Sequence, residues 1–221
     1  MRTHVLHSAE RRLFAAAVAG ATLAACSPRS SVPGVADRAR PEFVLPSLDP
    51  RDTAGPEYSV YELPSEWRDQ HGAERRLGSL GGRVQLLAMV YTHCASTCPL
   101  VVADLKRIET TMLADRSPRA REVGFVLVSL DPARDNPERL AEFARSTGLP
   151  PERWTLLAGS DADVRELAAS LDVRYRRSRG GQLDHSNVIT VLDPAGGVAY
   201  QQLGMDGGAE GTLRAVRRLL H

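Results

Sequence analysis

The stretch VQLLAMVYTHCASTCPL, residues 84–100, decides the fold. Its first half, Val84–Tyr91, is a largely apolar run of strand length, which is typical of a strand buried on both faces. Two cysteines follow at once, and after Pro99 apolar residues recur at helical spacing as far as Met112. The stretch therefore predicts a buried strand, a cysteine-containing loop and an amphipathic helix.

The alternation of strand and helix repeats toward the C-terminus. Phe125–Leu130 predicts a second buried strand, and Asn136 and Pro137 predict the start of a helix that Gly148 ends. The remaining predicted elements are a strand at Trp154–Leu157, a helix capped by Ser160 and Asp163, a hairpin of Val188–Leu192 and Val198–Leu203, and a helix at about Glu210–Leu220. This order indicates an α/β sandwich with a central mixed sheet.

The region before the buried strand contains fewer signals. Phe43–Leu63 is expected to be extended, because Pro46, Pro50 and Pro56 break any helix there. Trp67–Gly72 is typical of a strand that enters a hairpin turn. We therefore expect one domain over residues 42–221, with a β-hairpin extension near its start.

Composition narrows the class of protein. Of the 221 residues, 43% are apolar and 25% are charged, as in soluble globular proteins. The net charge of +1 offers no general attraction to phosphates, so nucleic acid is not an expected partner. The run Arg174–Arg179 is interpreted as a solvated strand end or loop. Three cysteines cannot form a disulfide scaffold.

The first 25 residues are predicted to be a lipoprotein signal peptide. Arg11 and Arg12 precede the apolar run Leu13–Ala25, which is too short for a bilayer span of about 20 residues but fits the core of a secretory signal. Leu23–Cys26 resembles the lipobox of bacterial lipoproteins. Arg11 to Phe14 also weakly resembles a twin-arginine signal, so both export routes stay open.

On the lipobox resemblance, cleavage before Cys26 leaves a lipidated first residue. The alternative is that Cys26 is simply a cysteine within a signal peptide. Residues 26–41, rich in Ser, Pro and Arg, are predicted to be a flexible tether. We therefore expect the domain to lie on the periplasmic side of a bacterial cell membrane, where thiols meet oxidants and metals.

Cys94 and Cys98 lie where the buried strand ends and the helix begins, a usual place for sites in α/β sheets. The helix N-terminus is expected to lower a thiol pKa and favour thiolate. Such a pair serves either dithiol–disulfide redox chemistry or capture of a soft metal ion. The spacer is one residue longer than in Cys-x-x-Cys, which favours metal without excluding redox. The simplest alternative is two buried structural cysteines.

A metal site needs more donors than two thiolates. Structural zinc would take four ligands, and the sequence has no second cysteine pair. Two thiolates with one imidazole suit copper, because thiolate selects Cu(I) and imidazole also binds copper.

The six histidines differ as candidates for the imidazole. Four are disfavoured by position, in the signal, in a predicted turn or at the chain end: His4, His7, His71 and His221. His93 adjoins Cys94, but its side chain is expected to point away, in a packing or surface role. His185 lies in a predicted loop just before an apolar strand, where a hydrogen-bonded loop residue is the default interpretation.

Three motifs in order resemble those of the SCO/SenC family. Tyr91–Pro99 is similar to its copper-binding signature, Ser129–Pro137 to its segment after the second core strand, and Asp184–Asn187 to its distal histidine motif. The resemblance extends over about Tyr58–Leu203. Ala95 departs from it, since many members have proline there, and the expected effect is on loop rigidity rather than ligation.

The resemblance implies a thioredoxin-like, three-layer α/β sandwich with one copper ion, as Cu(I) or Cu(II), on Cys94, Cys98 and His185. Members of the family help to deliver copper to the CuA centre of cytochrome c oxidase subunit II, or keep its cysteines reduced. The implied role is that of a metallochaperone. The expected partners are that subunit, another periplasmic copper chaperone and, through the lipid, the membrane. The protein is expected to be a monomer.

Other functions stay open at this point. An exported thiol-disulfide reductase would use Cys94 and Cys98 as a redox pair. Copper binding and thiol reduction can coexist in one protein, because the same dithiol serves both and only its reduced form holds copper. A redox-signalling or peroxide-handling protein would need a reactive sulfenate at one of these cysteines. A cysteine hydrolase is poorly supported, because no third residue is identified to orient His185 as a base.

Overall fold

The computed structural model describes residues 58–94, 97–115, 117–178, 182–204 and 208–221. All of them belong to one compact unit, Ser47–His221. The predicted signal peptide, Cys26, the tether and Ala95 lie outside the described residues. Across the described part of the chain, no helix is both long and apolar enough to span a bilayer.

The described residues form nine strands and four α-helices. The strands are β1 (Trp67–Asp69), β2 (Glu74–Arg75), β3 (Gln85–Val90), β4 (Gly124–Ser129), β5 (Trp154–Gly159), β6 (Tyr175–Arg177), β7 (Leu183–His185), β8 (Val188–Leu192) and β9 (Val198–Leu203). The helices are α1 (Cys98–Ala114), α2 (Pro137–Thr147), α3 (Asp161–Ser170) and α4 (Glu210–Leu220).

Seven strands form a mixed sheet in the order β2-β1-β5-β4-β3-β8-β9. The neighbours β3, β4 and β5 are parallel, whereas β8 runs antiparallel to β3 and β1 antiparallel to β5. The β1–β2 hairpin extends one edge of this sheet. The predicted mixed sheet and hairpin extension are therefore confirmed.

The sheet is covered on both faces. Every residue of β3 and β4 is buried, which requires packed layers above and below these strands. Helices α1 and α4 pack against each other, and α2 and α3 pack against β5. Phe125 and Trp154 are fully buried in the core and stack with their ring centroids 4.8 Å apart.

The predicted helix boundaries have local causes. Asn136 caps α2 by accepting a hydrogen bond from the Arg139 N–H, and α2 ends at Gly148, whose φ of +65° suits glycine. Ser160 and Asp163 form the predicted capping box at the start of α3.

Two expectations differ from the structure. Val60–Glu62 is a 3₁₀ turn rather than extended chain, because the Ser59 hydroxyl accepts a hydrogen bond from the Tyr61 N–H and caps the turn. His185 ends strand β7 of a separate two-stranded sheet, β6–β7, rather than lying in a loop. The predicted strand–turn–strand at Trp67 and the C-terminal helix are confirmed.

Candidate metal centre

The two cysteines lie where β3 passes into α1. Cys98 is the first residue of α1, and Pro99 occupies its first turn. A turn between the Cys94 N–H and the Tyr91 carbonyl (3.2 Å) folds the chain back toward the helix start. The Cys98 N–H donates to Cys94 Sγ at 3.3 Å. Both thiols are reduced and buried, so the helix start presents two sulfur atoms close together.

The β6–β7 hairpin brings His185 to the same place. His185 ends β7 opposite Tyr175 of β6, and its Nε2 lies 3.3 Å from Cys98 Sγ. Its Nδ1 lies 3.1 Å from the carbonyl oxygen of Ser186. Because a carbonyl oxygen only accepts, this contact assigns the proton to Nδ1. Nε2 is then left with the lone pair that a metal ion requires.

The three predicted site residues form one donor group. The ligand atoms of Cys94, Cys98 and His185 all lie within 4.8 Å of one another. Within the described ranges, no other group of three His, Cys, Asp or Glu side chains comes as close together. Two sulfurs and one imidazole nitrogen form a soft, three-donor set that fits Cu(I) and falls one ligand short of structural zinc.

Burial sets the protonation of the second thiol. Cys98 is 1% exposed. Burial raises the pKa of the Cys98 thiol well above its usual value, and the contact with Cys94 raises it further. The prediction that the helix N-terminus lowers the thiol pKa is wrong for Cys98, because loss of solvent outweighs the helix dipole. At neutral pH this thiol keeps its proton until a cation displaces it.

Tyr91 links β3 to the histidine hairpin. Its hydroxyl donates to the Leu183 carbonyl at 3.1 Å, and the rings of Tyr91 and His185 meet edge to face with centroids 5.9 Å apart. Burial, followed by the hydrogen bond to Cys94, raises the pKa of Tyr91 to about 12. The hydroxyl therefore stays a donor and anchors β7 beside the thiols.

An ion pair with a buried carboxylate anchors the other strand of the hairpin. Arg177 of β6 donates to Asp131 at 2.8 Å, and the Asp131 side chain is fully buried just after β4. The hydrogen bond to Asp131 raises the pKa of Arg177, which keeps the guanidinium charged. Arg134 also contacts Asp131 at 3.3 Å. Because a buried carboxylate needs such partners, the hairpin is tied to the end of β4.

Asp135 organises the loop that carries Cys94. This buried carboxylate accepts hydrogen bonds from the Thr92 N–H at 3.1 Å, the Thr92 hydroxyl at 2.5 Å and the Ser129 hydroxyl at 2.6 Å. Thr92 is thereby held two residues before Cys94.

The remaining polar candidates lie outside the donor group. Asp184 is exposed and pairs with Arg176 at 3.2 Å. His93 lies at the surface, where its ring contacts Arg139 at 3.0 Å, in agreement with the surface role expected for it. His71 is exposed in the β1–β2 turn. Sequence reasoning missed the anchor Arg177, since nothing distinguished it within an arginine-rich run.

The fold and the site together define a thioredoxin-like domain in which two thiols and one imidazole lie close enough to hold a metal ion. The family model described as SCO1/SenC matches residues 57–221. The protein belongs to the SCO1/SenC family.

The similarity extends to individual relatives. The chain is 27% identical to the SCO1 protein homolog of Bacillus subtilis over 150 residues, which are 66% of this chain and 76% of the relative. BsSco, described as a member of the Sco family of cytochrome c oxidase assembly proteins with a disulfide switch, matches with a TM-score of 0.63 and 25% identity over 74% of this chain and 94% of that chain.

A copper-bound relative shares the fold. Arabidopsis thaliana ScoI with copper bound matches with a TM-score of 0.61 and 22% identity, over 71% of this chain and 98% of that chain. The two solved chains consist almost wholly of the matched domain.

Proposed function

We propose that the protein is a copper metallochaperone that holds one copper ion per chain, as Cu(I) or Cu(II), on Cys94, Cys98 and His185. The observation that carries this proposal is the convergence of the three donor atoms within 4.8 Å. Thiolate and imidazole donors suit copper. The copper bound to Arabidopsis ScoI supports the same ion.

Loading exchanges protons for copper. The Cys98 thiol, protonated in the metal-free protein, gives up its proton as its sulfur binds copper. His185 needs no proton loss, because Nε2 already has a free lone pair. The hydrogen bond from Nδ1 to Ser186 holds the ring in this orientation.

Delivery proceeds by ligand exchange, with copper as the cargo. The sulfur of Cys98 is buried, whereas His185 is only partly buried and borders an open cavity of about 290 Å³. An incoming thiolate approaches from this side and replaces the imidazole first. The two cysteine sulfurs follow, each bond to the protein breaking as one to the client forms. The copper oxidation state does not change.

The proposed client is the CuA domain of cytochrome c oxidase subunit II, whose cysteines would receive the ion. The description of BsSco as a member of a cytochrome c oxidase assembly family supports this choice. A second periplasmic copper chaperone would supply the metal. The protein would act as a monomer.

The proposed location is the periplasmic side of the cell membrane. Residues 1–25 serve as a lipoprotein signal peptide, Cys26 carries the lipid, and residues 26–41 tether the domain 42–221. The support is the basic pair before an apolar run that ends in a lipobox. In membrane fractionation, we expect Cys26→Ser to leave the membrane fraction while Cys94→Ser/Cys98→Ser stays in it. Mass spectrometry should find the lipid on Cys26.

A second candidate function is supported by the two reduced thiols. Cys94 and Cys98 have no disulfide, and their sulfurs lie within 4.8 Å of each other. As a thiol-disulfide reductase, the pair would pass two electrons and two protons to a client disulfide. The client would leave as a dithiol, and Cys94 and Cys98 would become a disulfide.

The decisive experiment is an anaerobic Cu(I) titration of the reduced chain Ser27–His221 against a competing Cu(I) ligand. The wild type should bind one copper, Cys94→Ser/Cys98→Ser should lose stable binding, and His185→Ala should bind at least about 100-fold more weakly. His93→Ala is the matched control, because His93 adjoins Cys94 but lies outside the donor group. It should bind like the wild type.

Two results would change the proposal. If His185→Ala binds copper as tightly as the wild type in both oxidation states, the three-ligand site is wrong. If the wild type binds no specific copper, the reductase is favoured. The next measurement is then the reduction potential of the Cys94–Cys98 pair.

A further inference from the structure

The end of the domain opposite the cysteines carries an arginine cluster, defined as Arg83, Arg121 and Arg153. Arg83 precedes β3, Arg121 precedes β4, and Arg153 directly precedes β5. Because these three strands are adjacent and parallel, their N-terminal ends lie side by side at one end of the sheet. The donor group lies at the opposite end of the sheet, beyond the C-terminal end of β3.

The cluster contains more positive than negative charge. Arg153 pairs with Glu109 at 2.9 Å and lies over the Phe125 ring, 5.5 Å from its centroid. Arg83 and Arg121 have no ion pair or side-chain hydrogen bond with any other described residue.

Arg83 and Arg121 each lie close enough to Arg153 for their charges to act on its guanidinium group. Burial lowers the pKa of Arg153, Glu109 raises it, and the charges of Arg83 and Arg121 lower it again. Of the three arginines, only Arg153 is paired with a carboxylate, that of Glu109. Two of these cations are available to an outside anion.

The first described residues lie at this same end of the sheet. Strand β8 runs antiparallel to β3, so the β8–β9 turn lies beside the start of β3. The Val60 N–H donates to the Gly196 carbonyl in that turn at 3.0 Å, and the Gly82 N–H donates to the Pro194 carbonyl at 2.9 Å. Arg83 follows directly. The first described residues of the chain therefore lie on the same side of the domain as the arginine cluster.

We infer that the arginine cluster docks on the anionic phospholipid headgroups of the membrane to which the chain is attached. Guanidinium groups match phosphate oxygens with paired hydrogen bonds. A basic residue at an anionic surface contributes roughly fivefold to binding. The contact turns the copper site away from the bilayer, toward a client. The inference rests on the proposed membrane attachment for its setting, and it is independent of copper.

The test uses the unlipidated chain Ser27–His221, which reports on the domain surface without the anchor. Sedimentation is measured with vesicles of phosphatidylcholine alone and with about one third phosphatidylglycerol. Arg83→Gln/Arg121→Gln removes two charges that have no ion-pair partner among the described residues, so its fold should be intact by circular dichroism. The matched control is Arg165→Gln/Arg174→Gln, which removes the same charge from other exposed positions.

The wild type should bind the anionic vesicles, and binding should weaken as salt rises from about 0.05 M to about 0.5 M. Arg83→Gln/Arg121→Gln should bind about 25-fold more weakly. The control should stay within about twofold of the wild type. Equal losses in both variants, or equal binding of the wild type to neutral vesicles, would overturn the inference. Copper titration of the same variants and fractionation of Cys26→Ser separate this outcome from failure of the proposed function.

Discussion

The two sides of the donor group are built in different ways. The thiol side belongs to the core: Cys98 opens the 17-residue helix α1 and is 1% exposed. The imidazole side belongs to the two-stranded β6–β7 sheet, which shares no ladder with the seven-stranded sheet among the described residues. Side-chain contacts from Tyr91 and Arg177 tie that hairpin to the body.

Because of this difference, we expect the two thiols and His185 to have different roles in copper binding. Folding of the core alone places the two thiols, because Cys98 starts a helix packed against the central sheet and its N–H donates to Cys94 Sγ. His185 is placed by a few contacts that can change without unfolding the domain. We therefore expect the thiols to supply most of the copper affinity and the hairpin to govern exchange of the metal.

The largest expected effect is the pH dependence of Cu(I) binding, which reports on the thiol side. Since burial raises the pKa of Cys98, protons compete with copper for this sulfur throughout the neutral range. Affinity should rise with pH by at least about tenfold per unit, one proton being released for each copper bound. Competition titrations between about pH 6 and pH 8 check this. A flat profile would show that Cys98 is already a thiolate in the metal-free protein.

Loosening the hairpin should have a smaller effect. Arg177→Gln removes the ion pair with buried Asp131, so β6 loses its tie to the end of β4. Cu(I) affinity should fall about tenfold, with faster release of copper to a competing ligand and unchanged thiol reactivity. Arg145→Gln, at an exposed position in α2, is the control and should release copper like the wild type. Equal release rates in all three proteins would mean that this ion pair does not position His185.

The smallest effect is expected for Tyr91→Phe. The variant keeps the ring against His185 and loses the hydroxyl, with its hydrogen bond to the Leu183 carbonyl and its contact with Cys94. One such bond contributes about 1 kcal/mol, so Cu(I) affinity should fall roughly fivefold. The same titration measures it. A loss larger than that of Arg177→Gln would reverse the order of the two anchors.

The same division explains what could be predicted from the sequence. The apolar strand β3, the cap Asn136 and the stop at Gly148 are local signals, and the structure follows them. The position of the cysteine pair is predictable for the same reason, because a short stretch of sequence shows a strand followed by the start of a helix.

The β6–β7 hairpin has no comparable signal. Its strands are three residues long, and the exposed arginines of β6 give no buried face to detect. His185 was therefore assigned through the family resemblance rather than from the pattern. The raised pKa of Cys98 was missed because it depends on how deeply the helix start is buried, which the order of residues does not show.

The most direct test of the central claim is X-ray absorption at the copper edge of the Cu(I)-loaded chain Ser27–His221, beside His185→Ala. Two sulfur neighbours and one nitrogen neighbour are expected in the wild type, from Cys94, Cys98 and His185. The nitrogen contribution should disappear in the variant while both sulfurs remain. A sulfur-only shell in the wild type, or an unchanged nitrogen contribution in His185→Ala, would contradict the account.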